Sequence, residues 1–464
     1  MNQDNYNQNT IYALSTCYGK SGIAIIRISG PNAVTAIKAF KFTKNIIPKK
    51  ALLGTIHDPI TLEIIDEIIL IYFPKNNSYT GEDLVELQIH GSIAIINTLL
   101  NKLSSLNYLR MANNGEFTKK ALENNKISLI KAESIIDLIN AESEAQRKLA
   151  IRNYNGNLDA IYIFWKNELV KIISIVEAFI DFPDDMLDTK DIKKLDSMII
   201  DLNNKIKTEI DGFKNSLTLM NGVNASIIGP TNAGKSTLMN ILTYSDTSII
   251  SDIHGTTRDI VKNKIDVSGI SVILHDTAGF RKTTDKVEKL GIDKSKKYII
   301  KSDIILLIFD INNIPPPSFF LNIKELTKHD QKIIILINKI DLDTNYSEKI
   351  KASKKLLFDI QFQYKKIIEV SLHDKLNWDS FFSIFQESVK SFVDTENHTV
   401  ISNIRHQNCL KTFSTYLENS LSINILDLKA QELRFASSEI AGLLGNIHSE
   451  EILDQIFSSF CIGK

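Results

Sequence analysis

Apolar positions along this chain change their rhythm three times. In the first 120 residues, short runs rich in Ile, Leu and Val predict strands at Gly22 to Ile28, Glu67 to Phe73 and Leu84 to His90. Asn32 to Phe40 and Ser92 to Leu103 carry helical spacing. From Ala121 onward the helical period takes over. Ile161, Trp165, Leu169, Ile173, Val176 and Ile180 recur at three- or four-residue steps and predict a core-facing stripe. Asp181-Phe182-Pro183 ends it. Ile192, Leu195, Ile199, Leu202, Ile206, Ile210 and Phe213 repeat the pattern.

Between Leu217 and Ser380 short apolar runs alternate with helical stretches. Ala225 to Ile228, Val272 to Leu274, Ile304 to Phe309, Ile333 to Ile337 and Ile367 to Val370 predict strands, mostly parallel and buried on both faces. Helical periods then return, with stripes at Leu426, Leu433, Ile440 and Leu444, and at Ile452, Ile456 and Phe460. The two helical blocks each need a partner for their apolar faces. The expectation is therefore multidomain: an α+β N-terminal domain over 1–120, and an α-helical bundle domain made of 121–216 and 381–464. An α/β domain over 217–380 is inserted into the bundle.

Composition changes this picture little. The 464 residues, 43% hydrophobic and 23% charged, suffice for several ordinary cores. A net charge of −1 leaves no global basic footprint for nucleic acid, and the runs Lys41 to Lys50 and Lys294 to Lys297 read as solvated faces. The polar stretch Met1 to Thr10 lacks the pattern of a signal peptide. No apolar run has the length of a membrane span. Cys17, Cys409 and Cys461 have neither disulfide-framework nor metal spacing. The expectation is a cytoplasmic chain with no membrane association.

The candidate chemistry lies in the inserted region. Gly229-Pro230-Thr231-Asn232-Ala233-Gly234-Lys235-Ser236 matches the phosphate-binding loop, after a predicted strand and before a predicted helix. Its glycines let backbone approach phosphates, and its N–H groups line an anion-binding concavity. Lys235 supplies a point charge for the β- and γ-phosphates, and Ser236 a hydroxyl for Mg²⁺. Asn232, Ala233, Gly234, Lys235, Ser236 and Thr237 thus form the phosphate half of a nucleotide site.

Downstream motifs name the base. Asp276-Thr277-Ala278-Gly279 follows a predicted strand, where Asp276 can hold the Mg²⁺ shell through water and Gly279 can offer an N–H to the γ-phosphate. Ser251, Asp252, Ile253, His254, Gly255, Thr256 and Thr257 form the switch loop, with Thr257 completing Mg²⁺ coordination. In Asn338-Lys339-Ile340-Asp341, the Asp341 carboxylate matches the N1–H and 2-amino donors of guanine, a pair that adenine lacks. Ser371 is a further closing contact. The inserted domain is thus expected to be a Ras-like P-loop GTPase. Where such GTPases carry a water-positioning Gln, this chain has Phe280. The attacking water must be placed otherwise, and Arg281, Asp285 and Glu288 are the downstream polar residues.

Together with the flanks, these motifs resemble the MnmE (TrmE) family, the GTPases of tRNA wobble-uridine modification. The matching segments are Gly22 to Gly30, Tyr79 to Gly91, Gly115-Glu-Phe-Thr118, Gly255 to Asp259 and Phe460-Cys-Ile-Gly-Lys464. The resemblance implies a folate-binding N-terminal domain, a split helical domain, an inserted G domain and a homodimer through the N-terminal domains. It implies a partner, the MnmG flavoprotein, which carries FAD and uses NADH. The pair places an aminomethyl or carboxymethylaminomethyl group on carbon 5 of the wobble uridine of tRNA. The one-carbon source is 5-formyl- or methylene-tetrahydrofolate.

By motif position, Asn232 resembles the loop residue that helps hold K⁺, with Ser251, Ile253 and Thr256 completing the site. K⁺ there supplies the charge an arginine finger supplies elsewhere, an effect of about 10³–10⁵ in rate. Glu288 resembles the acidic residue that orients the water. Arg27, Glu86, Lys126 and Lys464 match folate-contacting positions, and Cys461 is a possible functional thiol at that site. A competing reading is a GTP-switched ribosome- or RNA-assembly factor without modification chemistry. Such proteins typically add a KH domain or a second G domain; no second phosphate-binding loop occurs here.

Overall fold

The structure is a computed structural model. It describes residues 10–181, 189–244, 263–276, 296–342, 346–393, 401, 403–445, 450–458 and 460–463. The chain divides into two compact units.

One unit comprises Met1–Ile136, Asn153–Ile199 and Thr415–Lys464. Its sheet contains β1 (Thr10–Leu14), β2 (Ser21–Ser29), β3 (Ala51–His57), β4 (Ile64–Phe73), β5 (Leu84–Gly91) and β6 (Leu109–Met111), in the order β3-β4-β5-β2-β1-β6. Neighbours are antiparallel except β1 and β6. Strict alternation decides the faces. Ala24, Ile26, Ile28, Val85, Leu87 and Ile89 point toward the helices Ala33–Ala39 and Ile93–Ser104, where Ile37, Ile96, Leu99 and Leu103 complete a core. Arg27 and Glu86 therefore point to the other face, which carries a smaller cluster of Ile11, Ala13, Leu84, Ala112 and Phe117.

The helical part of this unit corrects one stripe. Helix Asn157–Asp181 buries Leu158, Tyr162, Trp165, Leu169, Ile172 and Val176. Tyr162 and Ile172, not Ile161 and Ile173, thus face inward. The alternating steps of four and three make a narrow seam of the kind long paired helices use. Helix Leu426–Leu443 packs along it and buries Leu433, Ala436, Ile440 and Leu443. Segments from either side of the α/β region thus cover each other. The Lys429 ammonium, almost fully buried, is paired with Asp196 at 2.7 Å.

The other unit comprises Asp137–Arg152 and Ile200–Ser414. Its sheet holds β7 (Val223–Ile228), β8 (Asn263–Val267), β9 (Ile270–Asp276), β10 (Ile304–Asp310), β11 (Lys332–Asn338) and β12 (Lys366–Val370), in the order β12-β11-β10-β7-β9-β8. All neighbours are parallel except β8 and β9. Six successive β10 residues, Ile304 to Phe309, are fully buried, because both faces are covered. Ile227, Leu306 and Leu336 belong to one core; Ile305, Leu307 and Ile335 belong to the other.

Two boundaries depart from the pattern-based division. Helix Trp378–Lys390 puts Phe381, Phe385 and Val389 into the core of this sheet, and Val393 follows them. An end at 380 would cut that helix. At the other boundary, Ala145 N–H donates to the Gly269 carbonyl, and the buried Gln146 amide donates to the Leu219 and Met220 carbonyls. Residues around 142–146 thus pack with the α/β unit, although the sequence pattern groups them with the helical block. Among the described residues, no helix is long and apolar enough to cross a membrane.

Candidate nucleotide site and the N-terminal constellation

The nucleotide site grows from the middle of the parallel sheet. β7 lies between β10 and β9, and the chain turns at its carboxyl end from Gly229 into helix Lys235–Tyr244. Parallel sheets open crevices at such points. Each conspicuous glycine has a local reason. A Cβ on Gly229 would lie 2.0 Å from the Ile308 carbonyl oxygen, so this glycine answers to the neighbouring strand as well as to any phosphate. Gly234 adopts φ +105°, and a Cβ there would meet the Asn338 amide at 2.4 Å. Asn232 is left-handed at φ 63°, a conformation asparagine tolerates better than most residues.

Lys235 donates from Nζ to the carbonyls of Gly229 and Pro230, at 2.9 and 2.8 Å, and so lies curled over the loop. Ser236 and Thr237 are exposed at the head of the helix, while Ala233 is buried. Asn338 is 4% exposed and braces three segments. Its Nδ2 donates to the Ala233 carbonyl at 2.9 Å, and its Oδ1 accepts from Leu372 N–H at 3.1 Å. Lys339, at φ 65°, pairs with Asp310 at 2.9 Å and so ties the base loop to the end of β10. Asp341 is exposed in a short turn, Ile340–Leu342.

These parts surround a groove of about 620 Å³ lined by Asn232, Gly234, Lys235, Ser236, Thr237, Asn338, Lys339 and Asp341, with Leu342, Leu372 and His373. Its size suits a ligand of nucleotide dimensions. Ser371 is placed differently from its expected role. It is buried, and its hydroxyl accepts the Asp374 N–H at 3.2 Å, closing its own turn. Its neighbours Leu372 and His373 reach the groove instead. His373 had no motif to announce it. The Asp374 carboxylate, 2.8 Å from Nδ1, raises its pKa, and Asp341 adds to the effect.

Asp276 ends β9 opposite Ile227, beside the start of the phosphate loop. Ser251, Asp252, Ile253, His254, Gly255, Thr256, Thr257, Thr277, Ala278, Gly279, Glu288 and Lys464 lie outside the described residues, as do Phe280, Arg281 and Asp285.

A second constellation occupies the outer face of the antiparallel sheet. Arg27 and Glu86 are register partners on β2 and β5, and Arg27 Nε donates to Glu86 Oε1 at 2.8 Å. The Tyr79–Glu82 turn is riveted beside them. Tyr79 shares a hydrogen bond with Thr118, Thr80 with Ser29, and Glu82 with Lys120. Burial raises the Tyr79 pKa, and Arg27 opposes that shift. Lys126 donates to the Asn76 carbonyl at 3.1 Å, and its stem passes close to Gly81.

The chain's end folds onto this domain. Gly115 N–H donates to the Cys461 carbonyl, Ile462 bridges to Asn114, and Ser15 Oγ donates to the Gly463 carbonyl at 3.0 Å. A Cβ on Gly463 would meet the Leu14 carbonyl oxygen at 2.3 Å. Leu14 pairs with Ile26, the neighbour of Arg27, and Cys461 is exposed. Within Gly115-Glu116-Phe117-Thr118, Gly115 receives the tail while the other three are fixed within the N-terminal domain. Gly115 is left-handed at φ 66° and would collide with Phe457 if it bore a Cβ. Glu116 holds Arg110 and Phe117 is fully buried.

Comparison with known proteins decides the family. The model described as "MnmE helical domain" matches residues 129–461, and "GTP-binding protein TrmE N-terminus" matches 10–126. A tRNA modification GTPase MnmE from Rickettsia typhi is 37% identical over 463 residues, covering 98% of this chain and 100% of its own. This chain belongs to the MnmE family. The namesake from Wolbachia sp. subsp. Brugia malayi is also 37% identical, over 457 residues, covering 98% of this chain and 99% of its own. A GTP-binding protein from Sulfolobus solfataricus, solved with GDP, aligns over 63% of this chain and 85% of its own. Its identity of 14% and TM-score of 0.31 carry no argument. MnmE membership spans both constellations, the nucleotide groove and the Arg27–Glu86 face.

Proposed function

We propose that this chain is a K⁺-stimulated GTPase that modifies carbon 5 of the wobble uridine of certain tRNAs, together with the MnmG flavoprotein and a tetrahydrofolate one-carbon unit. The GTP-hydrolysing part rests on the family, whose relatives named tRNA modification GTPase span the whole chain. The single observation that carries the reading is the groove in which Lys235, Asn338 and Asp341 meet. There one ammonium faces the phosphate end and one carboxylate faces the base end. Discrimination against adenine follows, because an Asp341 carboxylate left without N–H donors loses its charge-assisted bonds.

Ser236 has the hydroxyl and the exposure to hold Mg²⁺, which would stabilise charge developing between the β- and γ-phosphates. Asn232 borders the phosphate end, where its carbonyl oxygen suits K⁺. In this reading Thr257 completes the Mg²⁺ set, Ser251, Ile253 and Thr256 complete the K⁺ set, and Glu288 orients the attacking water. GTP hydrolysis in KCl exceeds that in NaCl at equal ionic strength; equal rates remove K⁺ from the mechanism.

On the outer face, Arg27 suits a folate carboxylate and Glu86 the pterin N–H donors, so binding exchanges their mutual pair for two charge-assisted ones. Lys126, Lys464 and Cys461 belong to the same proposal, as do the homodimer and a cytoplasmic location. Nucleoside analysis of tRNA from cells lacking the protein tests the whole. Loss of the wobble-uridine modification is expected, and intact modification overturns it.

A further inference from the structure

The far end of the parallel sheet carries a second cavity that neither GTP binding nor the outer face of the N-terminal domain accounts for. It measures about 710 Å³ and its wall includes Lys324, Lys328, Lys332, Lys365 and Tyr364. Lys332 opens β11, whereas Asn338, at the nucleotide groove, closes it. The two cavities thus sit at opposite ends of one seven-residue strand, about 20 Å apart.

The cavity has a fixed frame. Gln331 Nε2 donates to the carbonyls of Ile299 and Ser302, both at 2.6 Å. Phe362 is buried edge-on against Phe320. Lys332 lies over the Phe392 ring at 4.9 Å and hydrogen-bonds Ser391. On this frame positive charge outweighs negative. Lys365 is paired with Glu387 at 3.0 Å, and nearby Asp330 is taken by Lys214 at 2.8 Å. Among the described residues, Lys324 donates to a backbone carbonyl, that of Ile360. Lys328 and His329 are exposed. Burial first, and Lys365 second, push the Lys332 ammonium below the usual lysine range, against the pull of Glu387. Four lysines thus line this cavity, against two nearby carboxylates, Glu387 and Asp330, the latter also within the field of Lys328, and the excess positive charge suits an anion. Tyr364 stands on the rim, 40% exposed, with its ring open to stacking.

We infer that this cavity binds the phosphate backbone of RNA, with Lys324, Lys328 and Lys332 on phosphates and Tyr364 against a base. Ammoniums spread around a wide mouth track a polyanion, and an open aromatic ring beside them suits a base better than a carboxylate peptide. The inference deepens the proposed function by giving tRNA a docking point on the G domain, and it rests on that reading.

Fluorescence anisotropy of labelled tRNA with the full chain, across a salt series, tests it. Lys324→Ala/Lys328→Ala, two exposed changes, weakens tRNA binding about tenfold. It also lowers the slope of log K against log salt by about 1.4, because each phosphate deprived of its ammonium removes about 0.7. Tyr364→Ala weakens tRNA without changing the slope. GTP hydrolysis stays at the native rate in both variants. If native protein binds tRNA and the double variant binds it equally well with the same slope, the site is wrong while the tRNA reading stands. If native protein does not bind tRNA, the tRNA reading itself fails. Competition by polyglutamate as effective as by unlabelled tRNA would overturn the nucleic-acid assignment.

Discussion

The two sheets of this molecule build their sites in opposite ways. The parallel sheet places its groove in loops at the carboxyl ends of strands. Each loop is a contiguous motif, and short segments carry most of the polar groups. The antiparallel sheet places Arg27 and Glu86 in mid-strand, facing away from the core, 59 positions apart in sequence. Its surroundings come from a turn at Tyr79, a helix at Thr118 and a tail that arrives from the far end of the chain. A site in loops advertises itself by spacing. A site on a strand face is visible only once register is known, because alternation sets the direction of every side chain.

The predictions probe that contrast, in descending order of effect. Asp341→Asn should reduce GTP affinity by about 10⁴-fold, since the carboxylate's two guanine donors lose their charged acceptor. Titration calorimetry with GTP and with xanthosine triphosphate checks it; a variant that keeps GTP and gains nothing for xanthine would show that the base is read elsewhere. Asn338→Ala should cost about 1–3 kcal/mol by leaving the Ala233 carbonyl and Leu372 amide without their bond, and should weaken GDP and GTP alike. Unfolding with and without nucleotide separates the two effects.

On the antiparallel side, Gly463→Ala should destabilise its unit by about 2 kcal/mol, through a left-handed backbone and a collision with Leu14. GTP binding should be spared. A matching loss of nucleotide affinity would mean that the two constellations are not separable.

The smallest effect is one of pH. Burial pushes the Glu116 carboxyl up, but Arg110 and the Asn113 amide pull harder, and the net pKa lies below the ordinary glutamate value. A depressed folded pKa stabilises the fold above the unfolded value and loses that contribution as pH falls through the folded one. The unfolding free energies of native chain and Glu116→Gln should therefore differ near neutrality, by about 1 kcal/mol, and converge in acid. A difference independent of pH would remove the ion pair from the stability of this domain.

Some features are legible in the chain and others are not, for identifiable reasons. Unbroken apolar runs such as Ile304 to Phe309 announce central parallel strands, because burial on both faces removes alternation. β1, β3 and β6 carry no comparable signal. β6 has only three residues and depends on pairing with β1. The stripe on Asn157–Asp181 is legible at Trp165, Leu169 and Val176 but takes the wrong neighbour at two places, since that helix is apolar enough that Ile161 and Ile173 compete with Tyr162 and Ile172 for the same periodicity. The helix after Trp378 carries a clear apolar face, but nothing in its own residues says which core it faces. His373 is invisible because a single histidine has no spacing.

By itself the sequence determined the central parallel strands, the P-loop GTPase character of the inserted region and the family. These depend on short-range spacing, which the chain writes directly. Only the tertiary structure decided that Asn338 is a brace between loops and that Ser371 turns inward. The same holds for Gly229, set by Ile308, and for Cys461-Ile462-Gly463, docked on Asn114, Gly115, Leu14 and Ser15. Most of these join residues tens to hundreds of positions apart. Which partners meet is set by the packing of whole sheets and helices, a property no local stretch of the chain contains.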